Sequence, residues 1–273
     1  MNKVEKLNVV IHAIMRVYNV SERIRFALDV RAHRLIAKNK ALKKASKRTC
    51  FIIGNGPSLS EVNLQDLTDY DTFTVNDFHR DIIELANFSN YHVMIDNAYY
   101  TDEYIGYVRE TVKKCTDTKF IFSYKGRNAL KDLKDSSRVF FVYQRLVQHG
   151  NFLKLDMTKN MTTSVNVVLA AIQCAIYMGY NTLYLVGCDF NSYATLKPTH
   201  FYESEPTYRI NSMGSDLQWS SMAHYHHYAL EKYAKSHGIS IINATRGSLI
   251  DAYERVELAS IYHSGYSDPS KGN

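Results

Sequence analysis

From Thr49 onward, short apolar runs alternate with stretches of helical periodicity, and this rhythm constrains the fold more than any other feature of the 273-residue chain. The apolar runs lie at 50–54, 72–76, 91–95, 120–124, 139–143, 182–187 and 239–243. Helical patterns occupy 59–67, 82–88, 103–114, 163–177 and 217–236. Such an alternation predicts an α/β class: a Rossmann-like, mostly parallel sheet with helices on both faces. In these sheets ligands bind beyond the carboxyl ends of the strands, near the point where strand order reverses.

Bulk composition narrows the function classes. Hydrophobic residues make up 45% of the chain, enough for a sizeable core. Cys50, Cys115, Cys174 and Cys188 stand far apart in apolar surroundings, the pattern of reduced, buried thiols rather than a metal site. The longest apolar run, 165–178, is interrupted by Gln173 and falls short of the roughly 20 residues a spanning helix needs. No secretory leader is evident. The expected location is cytoplasmic, at the inner face of a membrane if the N-terminal segment makes such a contact.

The net charge of +6 is unevenly placed. Residues 1–48 hold 13 Lys/Arg against three acids, whereas the remainder holds 20 against 24. A mildly acidic body argues against nucleic acid as a partner. The basic segment reads as two helices, one carrying Leu7, Val10, Ile11, Ile14 and Met15 on one side. The second starts at Ser21 and buries Ile24, Ala27, Leu28, Leu35 and Leu42. It ends in the cationic run Lys38, Lys40, Lys43, Lys44, Lys47 and Arg48. Two readings stand: a peripheral contact with an anionic membrane, or an extension packed on the body or a partner subunit.

The strand ends carry the chemistry. After the first strand comes Gly54-Asn55-Gly56-Pro57-Ser58-Leu59-Ser60-Glu61. Two glycines permit close backbone approach, Pro57 sets the exit angle, and Ser58 with Glu61 fits a capping box on a following helix. A helix opening there presents N–H groups to a phosphate. The string lacks the third glycine of a dinucleotide fingerprint and the Lys-Ser/Thr of a P-loop. Further polar strand ends are Asn76-Asp77, Asp96-Asn97 and Gly187-Cys188-Asp189. Thr163 and Ser164 precede the apolar helix. Between Asp189 and Leu217 a long polar stretch with Tyr193, His200, Tyr202, Tyr208 and Arg209 reads as a lid. In the cluster His224, His226 and His227, a helical wheel turns His226 and His227 to the core and leaves His224 on the polar side. His224 suits a general base, and the cluster lacks an evident third ligand for zinc.

These blocks resemble the bacterial CMP-sialic acid-dependent sialyltransferases of the lipooligosaccharide type, and the wider group of GNGPSL-containing surface-polysaccharide glycosyltransferases. The matching segments are FIIGNGPSL (51–59), TVND (74–77), VMIDN (93–97), MGYNTLYLVGCDF (178–190) and ALEKYAKSHGISIINATRGSL (229–249). The resemblance implies a GT-A-variant fold with a small lid and metal-independent, inverting transfer. A CMP-activated sugar, sialic acid or a related ulosonic acid, would pass to a lipopolysaccharide, capsule or lipooligosaccharide glycan. It implies no resident cofactor and a glycan or glycolipid acceptor; a homo-oligomer is a separate option that the sequence leaves open. By the same resemblance the nucleotide contacts map to Asn55, Gly56, Pro57, Ser58, Asn76, Asp96 or Asn97, and to Thr163 and Ser164, with Asp189 as a further polar strand end. One of the family's lid tyrosines falls on Asn191, and Tyr193 is its nearby substitute. The histidine base aligns near Ser221, which assigns the role to His224 with His200 in reserve.

The domain plan is a basic helical extension (1–48), a catalytic domain (49–258) with a lid at about 190–216, and a tail (259–273). Two other functions fit the same residues. Pterin diphosphokinase-like proteins share the glycine turn and would use ATP and Mg²⁺, with Asp77, Asp96 and Asp189 as metal carboxylates. The other is a non-catalytic nucleotide-binding subunit of polysaccharide assembly.

Overall fold

Along Arg48–Ile53 (β1), Cys50 and Ile52 enter one apolar cluster while Phe51 and Ile53 enter another on the opposite face. A strand buried on both faces has no polar side, which is why the sequence reads as a continuous apolar run. The computed structural model describes residues 3–43, 48–80, 88–195, 200–202 and 212–263. Among them, β1 joins Asp71–Val75 (β2), Tyr91–Met94 (β3), Lys119–Ser123 (β4), Val139–Leu146 (β5), Asn160–Thr162 (β6), Tyr180–Val186 (β7), Ser240–Asn243 (β8) and Glu254–Arg255 (β9). The order is β6-β5-β4-β3-β2-β1-β7-β8-β9, and every pairing is parallel. Strand order reverses at β1, so the crevice lies between the carboxyl ends of β1 and β7.

All seven expected strands are present within a few residues. The two unforeseen ones, β6 and β9, are three and two residues long and carry no periodicity to read.

Helices Lys3–Leu28 (α1), Val30–Ile36 (α2), Ile105–Lys114 (α3), Val167–Met178 (α4), Met213–Ser236 (α5) and Leu258–His263 (α6) surround the sheet. Helix α4 starts later than expected, because Asn166 rather than a hydroxyl of 162–164 caps it by accepting from Leu169 N; Gly179, at φ 98°, ends it. It lies between the sheet and α5, which explains its uniformly apolar sequence. The expected helix at 59–67 is instead two short 3-10 turns, Pro57–Glu61 and Leu64–Leu67, broken at Val62 and Asn63, which are extended. That expected at 82–88 falls, apart from Phe88, outside the described residues, as do Tyr208, Arg209, Lys44, Lys47 and 264–273.

The N-terminal segment departs furthest from expectation. Helix α1 is one 26-residue helix that runs through Ser21, and the break comes at Asp29, which caps α2 by accepting from Ala32 N. Leu42 is buried and Leu35 half-buried as expected, but Ile24, Ala27 and Leu28 are exposed. The side chain of Leu7 lies outside the description. Both helices pack on β5. No helix of the described residues is long and apolar enough to cross a membrane.

Candidate active site

At the crevice, β1 and β7 approach more closely than any side chain would allow. Gly54 N donates to Val186 O and Gly56 N to Gly187 O, both at 2.8 Å. A Cβ on Gly54 would lie 2.4 Å from Gly187 O, and one on Gly56 would lie 1.9 Å from Asp189 Oδ2. The two glycines therefore serve strand-to-strand contact. Ser58 does not cap a helix with Glu61: Gly56 precedes the 3-10 turn, Pro57 opens it, and both Ser58 donors go to Asp189. Its N–H reaches Oδ1 at 3.2 Å and its hydroxyl Oδ2 at 2.7 Å. A carboxylate thus already holds the amide that the sequence offered to a phosphate, and Glu61 lies on the surface 3.7 Å from Arg246.

Unpartnered acceptors gather beside this latch. Asn55 Nδ2 donates to Val75 O at 3.0 Å, leaving Asn55 Oδ1 buried without a partner. Asn76 adopts a left-handed φ of 48°, a conformation asparagine tolerates, and its Oδ1 is also buried and unpartnered. Asp77 Oδ1 is the third such atom, while Oδ2 lies 3.1 Å from Arg80. The Arg80 guanidinium sits 5.9 Å and 5.8 Å from the ring centroids of Tyr107 and Tyr202. Burial, then the Asp77 charge, raises the phenol pKa of Tyr99 and pushes that of Tyr107 up to about 12. These phenols stay protonated donors. Phe201 N donates to Asn55 O at 2.9 Å, which ties residue 201 of the expected lid to the glycine turn, and His200 stacks on Tyr202.

The second half of the site is built on α5. His224 Nε2 lies 3.4 Å from the Tyr193 hydroxyl, and Nδ1 lies 3.6 Å from Asp251 Oδ1. Tyr228 donates to the same carboxylate at 2.8 Å. The side chain of His224 is 19% exposed, sheltered yet reachable. Phe190, with a left-handed φ of 52° unusual for so bulky a residue, places its ring 5.1 Å from His224. Consecutive residues therefore join the halves, Asp189 holding the glycine turn and Phe190 facing the histidine. A carboxylate beside one imidazole nitrogen and a hydroxyl beside the other is an arrangement suited to proton abstraction.

His226 and His227 are core residues, as the helical wheel indicated. Gln173 Nε2 donates to His226 at 3.1 Å, and His227 hydrogen-bonds with the Tyr253 hydroxyl at 2.9 Å. Burial lowers the pKa of His226 to about 4 and holds that of His227 well below its usual range.

Four expected nucleotide contacts are placed differently. Asp96 is exposed and caps a turn by accepting from Ala98 N at 3.0 Å; Asn97 is exposed beside it. Ser164 is buried and accepts from Gln144 and Gln173 at 3.0 and 3.1 Å. Thr163 is exposed, and its N–H goes to Leu146 O. Among the described residues no group of three His, Cys, Asp or Glu is placed to hold a metal ion. Sequence reasoning missed Arg80, Tyr99, Tyr107 and Asp251. Arg80 carried a readable signal, four residues after a polar strand end, whereas Asp251 is tied to His224 only by folding.

The sequence model of the family described as 6-hydroxymethylpterin diphosphokinase MptE-like matches residues 27–194. No curated protein matches the sequence. One similar solved structure is the MAf glycosyltransferase from Magnetospirillum magneticum, at TM-score 0.49 and 12% identity. That alignment covers 83% of this chain, which spans 38% of the other. Another is the sialyltransferase CstII from Campylobacter jejuni in complex with a substrate analogue, CMP-3FNeuAc, at TM-score 0.48 and 15% identity. It covers 77% of this chain and 86% of that one.

Proposed function

The chain belongs to the MptE-like family, and from the arrangement of its site we propose that it is a transferase with a nucleotide-activated donor, a glycosyltransferase moving a CMP-linked sialic or related ulosonic acid to a surface glycan. The observation that carries the nucleotide site is the convergence of three buried, unpartnered acceptors, on Asn55, Asn76 and Asp77, at the ends of β1 and β2. A buried acceptor without a donor is costly; base amino groups and ribose hydroxyls are donors of the kind these atoms lack, and reaching them requires a shift of the side chains that close them off from water. Arg80 and the neighbouring phenols take the donor's phosphate, because Asp189 occupies the Ser58 amide.

The transfer follows from the other half of the site. His224 Nε2 removes the acceptor hydroxyl proton as that oxygen attacks the anomeric carbon. The bond from that carbon to the phosphate oxygen breaks, and CMP leaves with the electron pair. Asp251 steadies the imidazolium that forms, and Tyr193 positions the acceptor or the departing phosphate. A departing monophosphate ester carries less charge than a diphosphate, so the reading requires no metal.

The family description favours a second reading, transfer of diphosphate from ATP to a hydroxymethyl group, with Asp77 as a magnesium carboxylate. Thermal-shift titration with CMP, UDP, GDP and ATP, each with and without Mg²⁺, separates the two. Stabilisation by CMP without metal supports the sugar transferase; stabilisation by ATP only with Mg²⁺ replaces it with the diphosphokinase.

A further inference from the structure

Helix α1 presents its polar side to the protein and its apolar side outward. His12, Asn19, Glu22 and Phe26 face the body. The His12 ring lies 6.1 Å from His149, Asn19 Nδ2 donates to Val147 O at 2.9 Å, Glu22 is buried, and the Phe26 ring lies 5.0 Å from Tyr143. At 3.6 residues per turn these four fall within an arc of about 80°. On the opposite side Val10, Ile14, Val17, Val20, Ile24 and Leu28 form an arc of about 120°. Ile14 is 63%, Val17 71% and Leu28 78% exposed. That arc is wider than the seam of a two-stranded coiled coil.

Among the residues whose side chains are described, the charges around the arc have one sign. Arg16 and Arg23 border one side, Arg25 the other, and Arg31 and Arg34 follow on α2, all exposed. The described carboxylates of the two helices are occupied: Glu22 pairs with Arg25 at 2.6 Å, and Asp29 caps α2 and accepts from the Tyr124 hydroxyl. A second copy of α1 would therefore meet like charge, whereas an anionic lipid surface would meet opposite charge.

A basic groove follows α1 in the chain. Between α2 and residues 124–135 lies a cavity of about 570 Å³, lined by Arg31, Arg34, Lys38, Arg127, Lys131 and Lys134 against one carboxylate, Asp135. Among the described residues Arg31, Arg34, Arg127 and Lys134 form no ion pair. Arg31, one of its lining residues, stands three positions beyond the last apolar residue of the arc.

We propose that α1 and this groove form a docking surface for an anionic phospholipid bilayer, the apolar arc entering the acyl boundary and the groove receiving a lipid phosphate. Interfacial helices bind by such a pairing of apolar area with cationic flanks. The docking is independent of which donor the crevice takes, and it would hold the site beside lipid-linked acceptors.

The test is co-flotation of the full chain with vesicles of phosphatidylcholine alone and of phosphatidylcholine with one-third phosphatidylglycerol. Binding to the anionic vesicles only, weakened by high salt, is the expected result. The triple variant Ile14→Ser/Val17→Ser/Leu28→Ser lowers partitioning by about tenfold or more with an unchanged unfolding midpoint. The pair Arg34→Glu/Lys134→Glu lowers it by about tenfold on anionic vesicles. Equal binding to both vesicles, or to neither, overturns the proposal. So does a dimer in light scattering that the triple variant converts to a monomer without any vesicle binding, which gives the arc to a second copy of the chain. Full binding by the Glu pair removes the groove from the docking surface.

Discussion

Gly56 and Asp189 occupy the same space at the mouth of the crevice: a Cβ on Gly56 would stand 1.9 Å from Asp189 Oδ2, the atom that accepts from the Ser58 hydroxyl. Gly56→Ala is therefore expected to destabilise the protein by about 1–3 kcal/mol, the usual cost of overpacking. The same substitution in an Asp189→Gly background is expected to cost less, because the nearest clashing group is gone and only the contact with Gly187 O, at 2.8 Å, remains. Urea unfolding of the two singles and the double measures this coupling.

Proton abstraction by His224 predicts that His224→Ala lowers kcat by about 10²–10⁴-fold while the affinity for CMP stays within twofold. Asp251→Asn is expected to lower kcat less, since it leaves the imidazole in place without its counter-charge. Steady-state rates beside calorimetric binding separate these effects. Unchanged turnover in both variants would move the base elsewhere, with His200 the next to test.

Arg80 stands between Asp77 and two tyrosine rings. Arg80→Ala is expected to weaken CMP binding by about 10- to 100-fold through loss of a charge-assisted contact, and to leave cytidine binding almost unchanged. Calorimetric titration with both ligands reads the difference directly. An equal loss for cytidine would place Arg80 near the base instead of the phosphate.

Buried histidines set the acid limit of stability. Desolvation lowers the folded-state pKa of His79 and His226 to about 4, and that of His227 well below the ordinary 6.5. Below about pH 6.5 the unfolded chain binds protons that the folded chain refuses, so stability is full above that pH and falls toward pH 4. Each such histidine contributes about 1.4 kcal/mol per pH unit in this window. His226→Gln is expected to flatten the profile measured by urea unfolding between pH 7.5 and 5. A slope unchanged from the parent would rule out His226 as a contributor.

Sequence alone revealed what repeats and concealed what is distant. Strands such as Cys50–Ile53 and Leu183–Val186 were legible because burial on both faces leaves an unbroken apolar run. Separating His224 from His226 and His227 needed only the 100° step of a helix. The glycine turn was located correctly, yet its reason was not: the constraint on Gly56 comes from Asp189, 133 positions away. Asp251 was invisible for the same cause. On α1 the apolar stripe was read as the buried side, whereas Asn19 and Asn160 supply hydrogen bonds to Val147 O and Glu22 O that turn the polar side inward. Ser164 looked like a ligand contact because its demand for buried donors, met by Gln144 and Gln173, arises only in the folded core.

The Ser58–Asp189 contact spans 131 positions, and six strands and their connections lie between its partners. During synthesis, a nascent chain carries the glycine turn outside the ribosome long before Asp189 emerges, and His224 and Asp251 follow later still. The crevice therefore comes into being only after most of the sheet has been made. Until then Phe51 and Ile53 stand on a strand whose β7 neighbour has not been translated. The edge of β1 that will become the centre of the sheet is thus, until β7 is made, an open strand edge of the kind that pairs with other chains.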